Sequence, residues 1–338
     1  MKNEPLISFV VVGFYQDNNF IKCMQTLTTQ LYNNYEIVLV WSKKDPILNI
    51  QSYLTENKLN TEKIRIYGFE ENLGFSIGYN IAVEKANGDY VIIINPDVEI
   101  SPNFIEKLFN TYLRLKREKR TEKIIIGPRI CNPTGILEFS RRTINFLGFS
   151  NPDYSKTSKI RRTMITSGCC FLIEKQLFQR LHGFDEEYFM YHEDIDFSIR
   201  ASMIDCMQYV DNSIRLLHLK NDEGYKLGKF KYFYHERNRL MMCLEHAQNR
   251  KKMLLVQLLF EPFHLVFAIG KGFLRERIKI FQYLVKNMLK IWRSKEKQNN
   301  IFDNYYSMEG IFNEVDSKSI TFRFLNFYAK LLFYLYKL

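Results

Sequence analysis

Apolar positions in the first hundred residues fall into two kinds of run. Leu6–Val12 (LISFVVV), Glu36–Trp41 (EIVLVW), Lys63–Tyr67 and Tyr90–Asn95 (YVIIIN) are short, nearly continuous and rich in β-branched residues. Such runs predict strands buried on both faces. Between them, Phe20, Met24, Leu27 and Leu31 recur at helical spacing, and Ile47–Leu59 and Ser76–Ala86 also read as helices. Pro96 ends the fourth run. A further helix is expected over Pro102–Lys116, with Ser101 as its cap and Pro102 in its first position. Strands alternating with helices predict an α/β fold, an open and mainly parallel sheet wound by helices. Ligands of such sheets sit beyond the C-terminal strand ends. Here that means just after Val12, Trp41 and Asn95.

The pattern then changes. Cys131–Arg162 is rich in Pro, Asn, Gly, Ser and Arg and reads as one long loop over the sheet. Phe171–Ile173 and Gln176–Leu181 read as a short strand and helix, Glu193–Met203 as a helix, and Gln208–Leu217 as one or two strands. Met253–Gly270 is largely apolar, but Glu261, Pro262 and His264 interrupt it. Spanning a bilayer takes about twenty predominantly apolar residues, so a transmembrane helix is not expected. Leu274, Ile278, Phe281, Val285, Met288 and Trp292 recur at intervals of four and three. Arg275, Arg277, Lys279, Lys286, Lys290, Arg293, Lys295 and Lys297 flank that stripe, which makes an amphipathic basic helix. The stripe suits packing against the rest of the chain as well as it suits a membrane.

Composition sharpens this division. The chain has 338 residues, 46% hydrophobic and 25% charged, which excludes a disordered, collagen-like or many-span membrane protein. Its length suggests two domains. The formal charge of +11 is unevenly placed: residues 1–225 carry 27 basic and 28 acidic side chains, whereas residues 226–338 carry 21 and 9. The expected domains are therefore 1–225, catalytic, and 226–338, helical and basic. A basic tail calls for an anionic partner, nucleic acid or a membrane surface. The body is near-neutral and holds no nucleic-acid-binding module, so nucleic acid is not expected. The aromatic end Phe322–Tyr336, with Lys330 and Lys337, favours peripheral attachment to an anionic membrane. The six cysteines form no C-x-x-C pair and no disulfide framework, so a zinc site is not expected. Met1–Pro5 is polar and the run after it is short, so no signal peptide is read. A reducing cytoplasmic location, on the inner face of the cell membrane, is the resulting expectation.

Three motifs carry candidate chemistry. Asn95-Pro96-Asp97 closes a buried strand, where a carboxylate can meet a divalent cation and a diphosphate; it is also the sequence of a plain turn. Asn72-Leu73-Gly74-Phe75-Ser76-Ile77-Gly78-Tyr79-Asn80 has glycines for close backbone approach and a helix whose first N–H groups suit an anion; it also reads as a loop with a cap. It is not the G-x-G-x-x-G dinucleotide fingerprint, which disfavours a nicotinamide enzyme. Gly183–Asp196 (GFDEEYFMYHEDID) packs acids and aromatics before and into a helix. Asp194 and Asp196 are two apart and point to different sides, so one can face a substrate while the other caps the helix or pairs with Arg200. Simple N-terminal capping by acids is the bland reading.

The ordered set of VVV, NLGFSIGYN, NPD, TSGCCFLIEKQLF and GFDEEYFMYHEDIDFSIRA resembles the inverting glycosyltransferases of family 2, with the nucleotide-diphospho-sugar transferase (GT-A) fold. It is most similar to the rhamnosyltransferase-like branch of bacterial surface polysaccharide synthesis, over about Leu6 to Arg239. The resemblance implies that Asp97 binds a divalent cation, Mg²⁺ or Mn²⁺, bridging the donor diphosphate. Asn95 would stand for the first acid of an Asp-x-Asp motif. Asn72, Gly74, Gly78 and Asn80 would line the donor site. Asp194 would be the general base, with Glu193, Asp196 and Arg200 supporting it. His218 falls where the family often has a histidine near the diphosphate or metal, and reads equally as a core histidine. The implied substrates are a nucleotide-diphospho-sugar, dTDP-rhamnose first, and a lipid-linked saccharide. A UDP-hexose or N-acetylhexosamine transferase and a non-catalytic binding paralogue are the alternatives.

Two departures fall on nucleotide recognition. The second strand lacks the family's closing Asp-Asn pair, reading Val40-Trp41-Ser42-Lys43-Lys44-Asp45, and Tyr15 stands where an Asn is usual. Substitution by Asp45 or Glu36, or stacking of the base on Trp41 and Tyr15, are the readings this leaves open.

Overall fold

The computed structural model describes residues 4–42, 47–139, 141–154, 157–220, 226–294, 328 and 330–336; Asp45, Lys295, Lys297, Phe322 and Lys337 lie outside them. The first half alternates as expected. Strands β1 (Ile7–Gly13), β2 (Tyr35–Ser42), β3 (Ile64–Phe69) and β4 (Tyr90–Ile94) are separated by α1 (Asn18–Thr28), α2 (Ile47–Glu56) and α3 (Gly74–Lys85). There follow β5 (Val98–Ile100), α4 (Phe104–Lys119), β6 (Ile124–Cys131), β7 (Leu137–Phe139), β8 (Arg141–Ile144), β9 (Ser150–Asp153), β10 (Ile160–Arg162), β11 (Cys170–Glu174), α5 (Lys175–Arg180), α6 (Glu193–Met203) and β12 (Met207–His218). Then come α7 (Lys229–His246), α8 (Arg250–Gly270) and α9 (Leu274–Arg293), and residues 328 and 330–336 are helical too.

The main sheet runs β10-β12-β6-β11-β4-β1-β2-β3, with β5 pairing β12 and β7 pairing β6. The pairs β1–β2, β1–β4, β2–β3 and β6–β12 are parallel, while β11 runs antiparallel between β4 and β6. Successive strand residues face opposite sides, so β1 splits between two cores. Phe9 and Val11 join Phe20, Leu27, Trp41, Phe104 and Leu108 on one face. Val10 joins Tyr79, Ala82, Phe171, Phe178, Phe184 and Phe197 on the other. Each fully buried ring adds about 1.5–3 kcal/mol. Helices on both faces explain why the strands read as unbroken apolar runs.

Two sequence expectations need correction. The fourth helix begins at Phe104, not Pro102, and its cap position is Asn103. Ser101 instead closes a turn: its carbonyl accepts from the Phe104 N–H at 3.0 Å and its hydroxyl donates to Asn103 Oδ1 at 2.9 Å. The stretch 131–162 is not one loop, because it holds β7 to β10. Strands of three or four mixed residues leave no periodic apolar signature.

The chain folds as two compact units, residues 1–142 with 152–225, and residues 143–151 with 226–338. The second unit thus includes the tip of the β8–β9 hairpin. Within it, Arg239 is almost wholly buried and donates to the Leu147 carbonyl, to Gln257 Oε1 at 2.9 Å and to Glu236 Oε2 at 3.0 Å.

Candidate active site

The site forms where the strand ends and the turn before β11 meet. Asn95 leaves β4 with its N–H donating to the Cys169 carbonyl at 2.9 Å, and its own carbonyl accepts from the Cys23 thiol at 3.4 Å. Two residues on, the Asp97 carbonyl accepts from the Leu219 N–H at 2.7 Å. The antiparallel register of β5 and β12 sets His218 opposite Val98. His218 is therefore beside Asp97 because of strand pairing, with Nε2 3.3 Å from Asp97 Oδ1. Its other nitrogen, Nδ1, is 3.5 Å from Glu138 Oε2 on β7. Burial opposes the imidazolium, but Cys169 and the carboxylates of Asp97 and Glu138 outweigh it and hold His218 well above the usual imidazole value. Burial likewise raises Asp97, yet His218 and Lys220 pull it below the ordinary carboxylate range.

These side chains suit a cation that arrives with a diphosphate. Among the described residues no group of three or more His, Cys, Asp or Glu forms a metal cage. Asp97 and, once a cation displaced its proton, His218 would supply two ligands, and Mg²⁺ at nucleotide sites takes only one or two from protein, the rest from phosphate and water. A ligating imidazole held at its second nitrogen by a carboxylate, as Glu138 holds His218, is the common supporting arrangement.

Asp194 lies in the first turn of α6. Its Oδ2 accepts from the Gly168 N–H at 3.0 Å and from Arg142 Nη1 at 2.7 Å. Gly168 neighbours Cys169, so the turn Ser167–Cys170 touches both halves of the site. A side chain would be tight there, because a Cβ on Gly168 would stand 3.0 Å from the Phe75 ring and 3.3 Å from Asp194 Cβ, and these would have to give by a few tenths of an ångström. Glu193 is buried, and its Oε2 has no hydrogen-bond partner among the described residues. Burial first, and then the Asp194 charge, push its carboxyl well above the usual range. Asp196 is fully buried and pairs with Arg200 at 2.8 Å, and Arg200 also donates to the Leu181 and Gly183 carbonyls. That pair fastens the segment leading to α6.

The Asn72–Asn80 motif is largely occupied with the protein itself. Asn72 Oδ1 accepts from the Gly74 N–H at 3.0 Å. Gly74 has φ +65°, and a Cβ there would meet the Phe189 carbonyl oxygen at 2.5 Å. The N–H groups of Phe75 and Ser76, expected to be open to an anion, donate to that same Phe189 carbonyl at 2.6 and 3.2 Å. Gly78 provides clearance for Val12, whose Cγ1 would be 2.8 Å from an added Cβ. Asn80 grips the backbone of Phe184, donating to its carbonyl and accepting from its N–H, both at 2.8 Å. Gly78 and Asn80 thus build the wall rather than present free groups.

The departures at the nucleotide end resolve unevenly. Trp41 is buried against Phe20 with ring centroids 5.3 Å apart, so it cannot stack on a base. Glu36 is also internal, bonded to Ser8, Arg65 and the Asn87 N–H at the start of β2, the end of the strand away from the site. Tyr15 remains 68% exposed after β1. Glu138, Arg142 and Cys169 received no site role from the sequence, although Cys169 stands within TSGCCFLIEKQLF. Nor did a run of left-handed residues, Phe189 (φ 60°), Tyr191 (φ 68°) and His192 (φ 68°), directly before Glu193. Strained non-glycine backbone of this kind gathers at functional sites. The Arg141-Arg142 doublet inside a polar stretch was the one available cue.

Comparison with known proteins gives consistent neighbours. Residues 8–181 match the family described as Glycosyl transferase family 2. The low-salt glycan biosynthesis hexosyltransferase Agl10 of Haloferax volcanii is 28% identical over 139 residues, 38% of this chain and 43% of that protein. An N-acetylglucosaminyl-diphospho-decaprenol L-rhamnosyltransferase of Mycobacterium tuberculosis is 27% identical over 186 residues, 46% of this chain and 59% of that protein. The chain thus spans about half the length of these curated relatives. The crystal structure of GalNAc-T7 with UDP, GalNAc and Mn²⁺ superposes with a TM-score of 0.52 at 16% identity, covering 66% of this chain and 45% of that one. That similarity identifies the fold as GT-A.

Proposed function

The chain belongs to glycosyl transferase family 2, whose match covers just over half of it, and from that footing we propose that it is an inverting glycosyltransferase. The donor is a nucleotide-diphospho-sugar and the acceptor a lipid-linked saccharide. The observation that carries this reading is the Ser167–Cys170 turn, with Asp194 bonded to Gly168 on one side and Cys169 beside Asn95 and His218 on the other. A base and a diphosphate-cation pole within a few residues of each other are what sugar transfer needs.

Each side chain has a definite task in this reading. An acceptor hydroxyl is a weak nucleophile at neutral pH, and a carboxylate within hydrogen-bond reach removes its proton as the new bond forms. Asp194 is the proposed base. Both of its hydrogen bonds fall on Oδ2, which orients the group and leaves Oδ1 for the acceptor. Arg142 and Gly168 position it. Asp97 and His218 would hold a divalent cation, whose chemistry is to neutralise the leaving diphosphate. Attack opposite the leaving group inverts the anomeric centre in one displacement. L-rhamnose and a diphospho-polyprenol-linked acceptor are the first choices, supported by the name of the Mycobacterium tuberculosis relative at 27% identity.

The test is a panel of nucleotide sugars, scored by nucleoside diphosphate release with and without a lipid-linked saccharide. Acceptor-dependent release with one donor is the expected result. Donor binding without turnover across the whole panel would point to a binding component instead.

A further inference from the structure

Helices α8 and α9 each leave one apolar sector exposed. On α8 the buried side includes Arg250, Gln257 and His264 together with Met253, Val256 and Phe260. The opposite side presents Leu255 (55% exposed), Leu258 (54%), Leu265 (40%), Val266 (71%) and Ile269 (58%). Helix α9 divides into three sectors when its residues are placed at ~100° intervals. One sector, with Arg277, Ile280, Leu284 and Ile291, is buried. The next holds Leu274, Ile278, Val285 and Leu289, exposed by 41%, 50%, 74% and 72%. The third holds Arg275, Lys279, Lys286, Lys290 and Arg293, all exposed. Of the apolar stripe read from the sequence, Leu274, Ile278 and Val285 are exposed, while Phe281, Met288 and Trp292 are half-buried at its edge.

Several charged groups of this unit are instead gathered inside. Glu236 of α7 lies 2.8 Å from Arg277 of α9, 3.0 Å from Arg239 and 3.3 Å from His264 Nδ1 of α8. Arg277 also pairs with Glu261 of α8. A helix that hides ion pairs and displays leucine, valine and isoleucine inverts the usual soluble pattern. Contiguous exposed apolar surface marks an interaction site. A basic stripe alongside it selects an anionic bilayer over a second copy of the same surface, which would bring like charges together.

Helix α8 is also long and apolar enough to cross a membrane by length and composition. Its bonds argue for lying in the plane. Glu261 is tied to Arg277 of α9, and His264 Nε2 lies 3.0 Å from Arg239 of α7. The partner helix α9 carries too many lysines and arginines to cross with it. We propose that the outward faces of α8 and α9 form a bilayer-docking surface, with the apolar side chains entering the acyl boundary of an anionic membrane and the lysine–arginine stripe meeting lipid phosphates.

Flotation of the full chain tests this. With vesicles of equal parts phosphatidylglycerol and phosphatidylcholine the protein should float, and with phosphatidylcholine alone it should float far less. The triple variant Leu258→Asp, Val266→Asp and Val285→Asp should bind anionic vesicles at least tenfold less. So should Lys279→Glu with Lys286→Glu, a second variant confined to exposed positions, which guards against misfolding of the first. Alkaline carbonate should release the bound protein. The proposal is overturned if the parent does not float, if both variants float like the parent, or if carbonate leaves the protein in the membrane. Sedimentation showing that the variants break a dimer, with flotation unchanged, would instead make the surface a contact between copies. None of these readouts needs sugar transfer, so their failure is distinct from failure of the enzymatic reading.

Discussion

Glu193 and Asp194 are consecutive carboxyl groups in different surroundings, and this yields a paired test. Glu193 is buried, has no partner for Oε2 among the described residues and keeps its proton to higher pH than a free glutamate; Asp194 is bonded to Arg142 and Gly168. Glu193→Gln preserves both shape and neutrality, so transfer should stay close to the parent rate. Asp194→Asn removes the proposed base and should slow transfer by about 10²–10⁴-fold, roughly 2.7–5.4 kcal/mol of barrier. Stability should move differently. An unfolded glutamate ionises near pH ~4.3. The native Glu193 keeps its proton to higher pH, so between those values the native state binds more protons than the unfolded state. The parent therefore loses stability as pH rises through that window, by up to about 1.4 kcal/mol per pH unit. Glutamine carries no such penalty. Glu193→Gln should exceed the parent in stability at pH 7 and match it below pH ~4. Asp194→Asn leaves Arg142, whose side chain is 17% exposed, without its carboxylate and should cost about 1–3 kcal/mol. Nucleoside diphosphate release and urea melts at both pH values read all of this. The reasoning fails if Glu193→Gln loses transfer while Asp194→Asn keeps it, or if the Glu193→Gln stability difference is the same at pH 4 and pH 7.

Four further outcomes follow from other positions. Gly74→Ala should destabilise by at least about 1–2 kcal/mol, the cost of a left-handed alanine before the contact with Phe189 is counted, and unchanged urea melts would contradict it. Trp41→Phe should cost about 1–3 kcal/mol of stability through lost packing but leave donor KM unchanged; a raised KM would restore a base-stacking role. Burial raises Glu36, but the Asn87 N–H, Arg65 and Ser8 outweigh it, so its pKa is lowered on folding. Its contribution is thus present above the unfolded value near pH ~4.3 and fades as pH falls through the folded value, so the deficit of Glu36→Gln should shrink in acid; an equal deficit at pH 7 and pH 3 would refute the ion pair as its source. Asp97→Ala should move the Mn²⁺ activation midpoint to higher concentration, and an unaltered titration would remove Asp97 from the cation site.

Elements with strong local signals were legible, and pairings across the chain were not. Leu6–Val12 and Tyr90–Asn95 read as strands because burial on both faces demands continuous apolar residues, and they appear as β1 and β4. Glu193–Met203 read as a helix with the same bounds it has in α6. The short strands β7 to β10 have too few residues for periodicity to register. Arg142 and Asp194 are 52 residues apart, and Glu138 and His218 are 80 apart; only the topology of the sheet brings each pair together. The motif Asn72–Asn80 misled in a specific way. Glycines and a helix start suggested an open anion site, yet a carbonyl from Phe189, more than a hundred residues away, caps those N–H groups.

The second unit shows the limit of periodicity most directly. A repeat of apolar residues at helical spacing says that a helix has an apolar side, but not what covers that side. On α9 the recurring Leu274, Ile278 and Val285 point outward, while the buried sector includes Arg277, fully enclosed and paired with Glu236 and Glu261. Burial of those charges is tolerable because each has an opposite partner, and removing one would leave the other stranded at a cost of about 3–5 kcal/mol. The same ion pairs that hold α7, α8 and α9 together therefore free the leucines and valines from core duty. The net charge of +11 then has a different meaning from the one its size first suggests. Part of the basic excess of residues 226–338 is consumed internally, and among the described residues the lysines and arginines aligned on α9 beside its exposed apolar sector stay at the surface, where the proposed bilayer would meet them.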